Sequence, residues 1–204
     1  MARTFEVDRK AAKEANNGGK RITEPGIYSG KFRAAWYEKA EKGTEGVAFF
    51  FQNESGQEAG PLVIYTHKAN GDELPGYKLV NAIAVCMGGK KIEPRRARVT
   101  FFDYDTKQDV LKEKEVYPAL VGKIGLFLQL EEYTKNSGEQ GARLVINAPF
   151  NPDTRLMAVE IVDGITTPKR IDTYATYFET VKVKKEKGRK ENTQSQSSPP
   201  ADDF

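Results

Sequence analysis

Cysteine and histidine are the scarcest chemically reactive residues in this 204-residue chain. Cys86 and His67 are the single representatives of their types, which excludes an intramolecular disulfide framework and the usual zinc site of four Cys/His ligands. Long apolar runs are also missing. Runs such as Val47 to Phe51 and Leu62 to Tyr65 are far shorter than the ~20 residues of a membrane span. Because the first residues also lack the apolar stretch of a secretory signal, we expect a soluble cytoplasmic protein with no membrane association.

Motifs of catalysis and metal binding are equally sparse. No phosphate-binding loop with the spacing Gly-x-x-x-x-Gly-Lys-Ser/Thr occurs. The run from Asp103 begins like a calcium loop, but Lys107 and Gln108 stand where an acidic or amide residue and a glycine are required. Asp103, Asp105 and Lys107 are the local candidates for a metal-dependent nuclease, although capping a turn is the commoner role of such carboxylates. We therefore expect no cofactor, no metal site and no enzymatic activity, with the nuclease as an alternative.

Positive charge is concentrated towards the C-terminus. The segment Lys182 to Lys190 carries six positive residues and one negative, and Asn192 to Ala201 has neither charge nor a large apolar side chain. Such a segment buries too little apolar surface to offset the entropy lost on ordering. We predict three regions: a mobile arm over residues 1–24, one folded domain over residues 25–181, and a disordered tail over residues 182–204 with a basic linker.

Two-residue alternation and glycine turns divide the central region into short strands. The period changes from Tyr77 to Met87, where apolar residues recur at helical spacing until a double glycine ends the helix. This order of elements predicts a mainly β fold, an oligonucleotide-binding (OB)-like barrel of five strands with extra strands and one helix between strands three and four. The predicted strands are Ile27 to Tyr37, Val47 to Gln52, Pro61 to His67, Arg96 to Tyr104, Ile124 to Tyr133 and Arg143 to Ala148.

Two of these strands combine positive charge with aromatic rings. In the first, alternation predicts Phe32, Ala34 and Trp36 on one face and Lys31, Arg33 and Tyr37 on the other. In the fourth, it predicts Arg96, Arg98, Phe102 and Tyr104 opposite an aliphatic face. Binding of single-stranded nucleic acid without sequence readout requires cations for the phosphates and ring faces for unstacked bases. The candidate DNA-binding residues are therefore Lys31, Arg33, Trp36, Tyr37, Arg96, Arg98, Phe102, Tyr104, Lys123, Lys135 and Arg143.

The segment Asp202-Asp203-Phe204 follows the basic linker and an uncharged stretch. It resembles the acidic C-terminal tip of bacterial and bacteriophage single-stranded-DNA-binding proteins, which ends in an aromatic residue and docks into partner enzymes of replication and repair. A phenyl ring beside two carboxylates suits a small apolar pocket ringed by Lys or Arg. The resemblance implies that Asp202, Asp203 and Phe204 bind replication or recombination proteins.

Spaced blocks of the central region are also similar to phage-encoded single-stranded-DNA-binding proteins. The resemblance implies an OB fold and sequence-independent binding and protection of single-stranded DNA during phage replication, recombination or repair in the host cytoplasm. A second copy of the chain, in a homodimer, is a further candidate partner. Besides the nuclease, a protein–protein adaptor that acts on a host enzyme is an alternative. The blocks are Pro25 to Tyr28, Lys42 to Gly46, Val116 to Lys123, Leu128 to Tyr133, Phe150 to Thr154 and Ala158 to Glu160.

Overall fold

The computed structural model describes residues 21–103, 108–135 and 137–185, with the backbone alone for residues 101–103 and 108–109. Within these residues the chain forms eight strands, three α-helices and one 3-10 turn. The strands are β1 (Gly26–Lys39), β2 (Glu45–Asn53), β3 (Glu58–His67), β4 (Arg95–Asp103), β5 (Gln108–Val116), β6 (Gly122–Thr134), β7 (Gln140–Phe150) and β8 (Val183–Lys184). The helices are α1 (Pro75–Cys86), α2 (Ala158–Val162) and α3 (Arg170–Val181), and the 3-10 turn is Pro118–Leu120.

The strands form one open sheet in which neighbours are antiparallel, except for the short parallel pairing of β6 with β8. One path through the sheet runs β3-β2-β1-β6-β7. The β4–β5 hairpin branches from the far end of β1, where Trp36 pairs with Val116. The prediction of a mainly β fold is confirmed, and α1 lies between the third and fourth strands of the chain. Of the described helices, none has the length and apolarity needed to cross a membrane.

The main core lies between the inner face of the sheet and α1. On β2, alternation points Val47, Phe49 and Phe51 inwards, where all three are buried. Helix α1 contributes Val80, Ile83, Ala84 and Cys86 at helical spacing. Ile22, which the sequence assigned to the N-terminal arm, is also buried in this core, and its N–H donates to the carbonyl oxygen of Glu58 (2.8 Å). The fold therefore extends at least four residues before β1.

A β-bulge in β1 changes which of its residues share a face. The register with β2 shifts between Phe32 and Ala34, so that Arg33 is the extra residue. Beyond the bulge, Trp36 pairs with Ala48 on the outer face of the sheet, whereas Tyr37 pairs with Val47 on the core side. The predicted grouping of Trp36 with Phe32, and of Tyr37 with Lys31, is therefore wrong, because strict alternation assumes an uninterrupted register.

Helix α3, which the sequence analysis did not predict, covers the outer face of β6 and β7. Phe178 is fully buried, and its ring centroid lies 5.3 Å from that of Phe127 on β6. The carboxylate of Glu160, in α2, is also fully buried and accepts hydrogen bonds from the N–H groups of Met157 (3.0 Å), Lys169 (2.8 Å) and Arg170 (3.0 Å). The hydrogen bond from Met157 is the largest cause of a lowered pKa of Glu160. Glu160 therefore joins the start of α2 to the start of α3.

Candidate nucleic-acid interface

A groove of about 680 Å³ separates the β4–β5 hairpin from the outer face of β1 and β2. We call it the hairpin groove. Apolar side chains and small residues supply most of its surface, and two guanidinium groups and one carboxylate supply its charge. Its lining residues are Arg33, Ala34, Ala35, Phe50, Phe51, Glu58, Ala97, Arg98, Val99, Thr100, Val116, Pro118 and Val121.

Phe50 supplies the aromatic surface of the hairpin groove. Its side chain is half-buried, and its ring centroid lies 5.2 Å from that of Trp36. Trp36 itself is 2% exposed, because Phe50 packs on one side and the ammonium group of Lys114 lies 5.1 Å from the indole centroid. The indole N–H donates to Glu38 (2.9 Å). Trp36, predicted to bind DNA directly, therefore packs against Phe50 and presents little ring surface to a ligand.

The cations near the groove differ in whether they are already paired. Arg33 lies 2.6 Å from Glu58, and both side chains are about half exposed. Arg98 also lines the groove and is exposed. Arg96 shares its face of β4, and the two residues lie opposite Glu115 and Glu113 of β5 in the ladder. Among the residues that the structure describes, Arg96 and Arg98 form no ion pair, so both guanidinium groups are available to an anionic ligand.

Lys31 and Lys123 are neighbours on the outer face of the sheet. They lie directly opposite each other in the ladder of β1 with β6. Like charges in this position repel. The carboxylate of Asp153 lies 3.1 Å from the ammonium group of Lys123 and reduces this repulsion. Lys31 precedes the bulge residue Arg33 by two positions, so the predicted cations of the first strand continue from the groove towards β6.

Lys135 and Arg143 belong to a different part of the molecule. Lys135 pairs with Glu139 across the turn between β6 and β7 (3.0 Å). Arg143 donates through Nε (3.0 Å) and Nη2 (2.7 Å) to one oxygen of Glu131, and its guanidinium carbon lies 5.5 Å from the ring centroid of Tyr133. The hydrogen bond from Lys184 is the first cause of a lowered pKa of Glu131. The structure therefore does not bring these two predicted DNA-binding cations to the hairpin groove.

Tyr37 also lies apart from the groove, on the core side of β1. Burial, together with a hydrogen bond to Glu45, raises the pKa of its phenol to about 12. Cys86 is buried, and burial raises the pKa of its thiol to about 12 as well. A protonated, buried thiol is a core residue rather than a nucleophile at neutral pH.

Several predicted residues lie outside the part that the structure describes. Tyr104 is one, and the side chain of Phe102 is not described, although its backbone continues β4. The nuclease candidates at positions 105 and 107 and the segment Asp202 to Phe204 also lie outside it, and Asp103 is described by its backbone alone. Within the described residues, no group of three or more His, Cys, Asp or Glu side chains could hold a metal ion.

Phe50 is an aromatic groove residue that the sequence analysis missed. The run Phe49-Phe50-Phe51 lies in a predicted strand, and alternation requires the middle ring to face away from the other two. The sequence of this strand alone therefore predicts that the ring of Phe50 faces away from those of Phe49 and Phe51. Together, Phe50, Arg33 and Arg98 place an aromatic ring and two guanidinium groups around one open groove. No protein-family model matches the chain, and no curated protein matches it at a significant level.

Proposed function

We propose that this protein binds single-stranded DNA, without reading its sequence, in the hairpin groove. The observation that carries the proposal is the combination of Arg98, whose guanidinium group forms no ion pair with any described residue, with the half-buried ring of Phe50 in one open, largely apolar groove. Cations attract phosphates of any sequence, and every base has a face that stacks on an aromatic ring. A duplex keeps its bases stacked inside, so it offers such a groove its phosphates alone.

The order of the strands supports an OB-type arrangement. We propose that β1, β2, β3, β6 and β7 are its five strands and that the β4–β5 hairpin is inserted after the helix. The path β3-β2-β1-β6-β7 and the position of α1 directly after β3 fit this arrangement. Helix α1 packs against both β3 and β7, the two strands that a closed barrel would bring together.

A binding experiment with labelled oligonucleotides tests the proposed function. We expect fluorescence anisotropy to detect binding of a 20-nucleotide oligo(dT), with weaker binding of a duplex of the same length. Raising the salt concentration should weaken binding, with a log–log slope of about −0.7 for each phosphate neutralised. The affinity for an RNA of the same length shows whether binding depends on the sugar of the nucleic acid. Equal affinity for single strand and duplex, or an affinity that does not change with salt, would contradict the proposal.

Replacing Arg98 with alanine should lower the affinity for oligo(dT) about 3- to 10-fold. It should also reduce the magnitude of the salt slope by about 0.7, because one phosphate contact is lost. The matched control is Arg143→Ala, which removes an exposed arginine that Glu131 already holds in a different region. We expect the control to leave the affinity within about twofold of wild type. Equal losses in the two variants would show that net charge, and not the groove, determines binding.

The biological setting rests on the resemblance to phage and bacterial single-stranded-DNA-binding proteins. We propose that the protein coats and protects single strands during replication, recombination or repair, without catalysing a reaction. Recruitment of partner proteins by Asp202, Asp203 and Phe204 remains a prediction from the same resemblance. Both proposals require that the groove binds single strands, so the oligonucleotide experiment comes first.

A further inference from the structure

The carboxylate of Glu58 occupies a position in the hairpin groove that an anionic ligand would be expected to avoid. Glu58 begins β3, and its Oε1 accepts hydrogen bonds from Nη1 of Arg33 (2.6 Å) and from Nε2 of Gln52 (3.3 Å). Arg33 belongs to β1, and β2 lies between β1 and β3. The arginine side chain therefore extends across the outer face of β2 to reach Glu58.

The residue of β1 that makes this contact is at the bulge. Arg33 has no partner in the β1–β2 register, and its side chain reaches Glu58 from this position. Gln52, which pairs with Lys31 on β1 and with Glu58 on β3, lies beneath it. The result is an ion pair between two groove-lining residues, with side chains 56% and 47% exposed.

We propose that Glu58 competes with DNA phosphate for Arg33 and thereby sets the affinity of the groove. This inference rests on the proposed function. An exposed ion pair is weak in water, so a phosphate can displace Glu58 at modest cost. The carboxylate, however, is tethered beside Arg33 at high local concentration. A strand already held by Arg98 presents its next phosphates at a comparable local concentration, whereas a free mononucleotide does not.

Replacing Glu58 with glutamine should tighten binding of oligo(dT) about 3- to 10-fold and steepen the salt slope by up to about 0.7. Glutamine keeps a carbonyl oxygen for Arg33 and Gln52, so the local hydrogen bonds can persist while the charge is removed. The matched control is Glu139→Gln, which removes one carboxylate from the exposed pair with Lys135, outside the groove. The control reports the effect of net charge alone, for which we expect less than a twofold change.

A double-mutant comparison separates competition from simple repulsion. In an Arg33→Ala background, Glu58→Gln should tighten binding no more than Glu139→Gln does, because the residue for which Glu58 competes is gone. A gain that persists in this background would show that Glu58 repels phosphate directly, and would overturn the proposal. Equal effects of Glu58→Gln and Glu139→Gln in the wild-type background would overturn it as well. Absence of oligo(dT) binding by the wild-type protein would instead overturn the proposed function, before the variants are compared.

Discussion

Replacing Phe50 with leucine is expected to lower the affinity for single-stranded DNA by about 1–3 kcal/mol, which corresponds to a loss of about 5- to 150-fold. Leucine keeps the groove floor apolar but removes the flat face on which a base stacks. Fluorescence anisotropy with a 20-nucleotide oligo(dT) measures the change. The salt slope should stay as in wild type, because no phosphate contact is removed.

The control for this experiment is Tyr177→Leu, which removes an exposed ring on α3. We expect it to leave DNA affinity unchanged. Phe50 also packs against Trp36, so loss of the ring pair should destabilise the fold by about 0.5–1.5 kcal/mol, and a thermal melt must show that the variant is folded at the assay temperature. A folded Phe50→Leu protein with wild-type affinity would show that bases do not stack on this ring.

Replacing Glu160 with glutamine is expected to lower the free energy of unfolding by about 2–4 kcal/mol. The two carboxylate oxygens accept three backbone N–H groups in a fully buried position. A glutamine amide must point its NH₂ group at some of these donors, and each buried donor left without an acceptor costs about 1–3 kcal/mol. Urea unfolding monitored by circular dichroism measures the difference.

Glu179→Gln is the control, because it removes a carboxylate of α3 from an exposed ion pair with Lys182, the residue that follows this helix. Its expected cost is below about 1 kcal/mol. Since the pKa of Glu160 is lowered in the folded protein, its ionised form stabilises the fold above the ordinary value near 4.5, and this contribution is lost as the pH falls through the folded value. The difference between wild type and Glu160→Gln should therefore shrink in acid. A difference that is constant with pH would show that the charge of Glu160 does not matter.

The elements that the sequence predicted are those whose pattern is local. Strands β1 to β3 and helix α1 each present one apolar face to the main core, so their periodicity and their glycine turns are readable. Strand β5 was not predicted, because its charged residues look like a solvated loop until β4 pairs with it. Helix α3 was missed for a related reason. It buries chiefly Ile171 and Phe178. Phe178 packs against Phe127 on β6, which is distant in the sequence, so the pattern of the helix alone does not reveal this contact.

The candidate site could be predicted only in part from the sequence. Arg98 was found because β4 alternates regularly, and Phe50 was within reach of the same argument. The pairing of Arg33 with Glu58 depends on the bulge in β1 and on the registers of β1, β2 and β3 together. Lys135 and Arg143 fit the composition of a DNA-binding surface. The β6–β7 register, however, brings them beside Glu139 and Glu131, with which they form ion pairs. Ion pairs of this kind follow from three-dimensional neighbours, which spacing along one strand does not reveal.

The two walls of the groove differ in how firmly they are held. One wall is the paired face of β1 and β2. Within the described residues, the β4–β5 hairpin pairs with β1 in the strand ladder at Trp36–Val116 alone, with a hydrogen bond from the N–H of Tyr117 to the carbonyl oxygen of Ala35 (2.8 Å) and an ion pair of Lys114 with Glu38 (3.3 Å) close by. A ribbon attached at its base yields more easily than a sheet paired along its length. Under the proposed function, the gap can widen for a purine and narrow for a pyrimidine at little energetic cost. Binding without a preference for particular bases would then follow from the flexibility of the hairpin wall as well as from the chemistry of the groove.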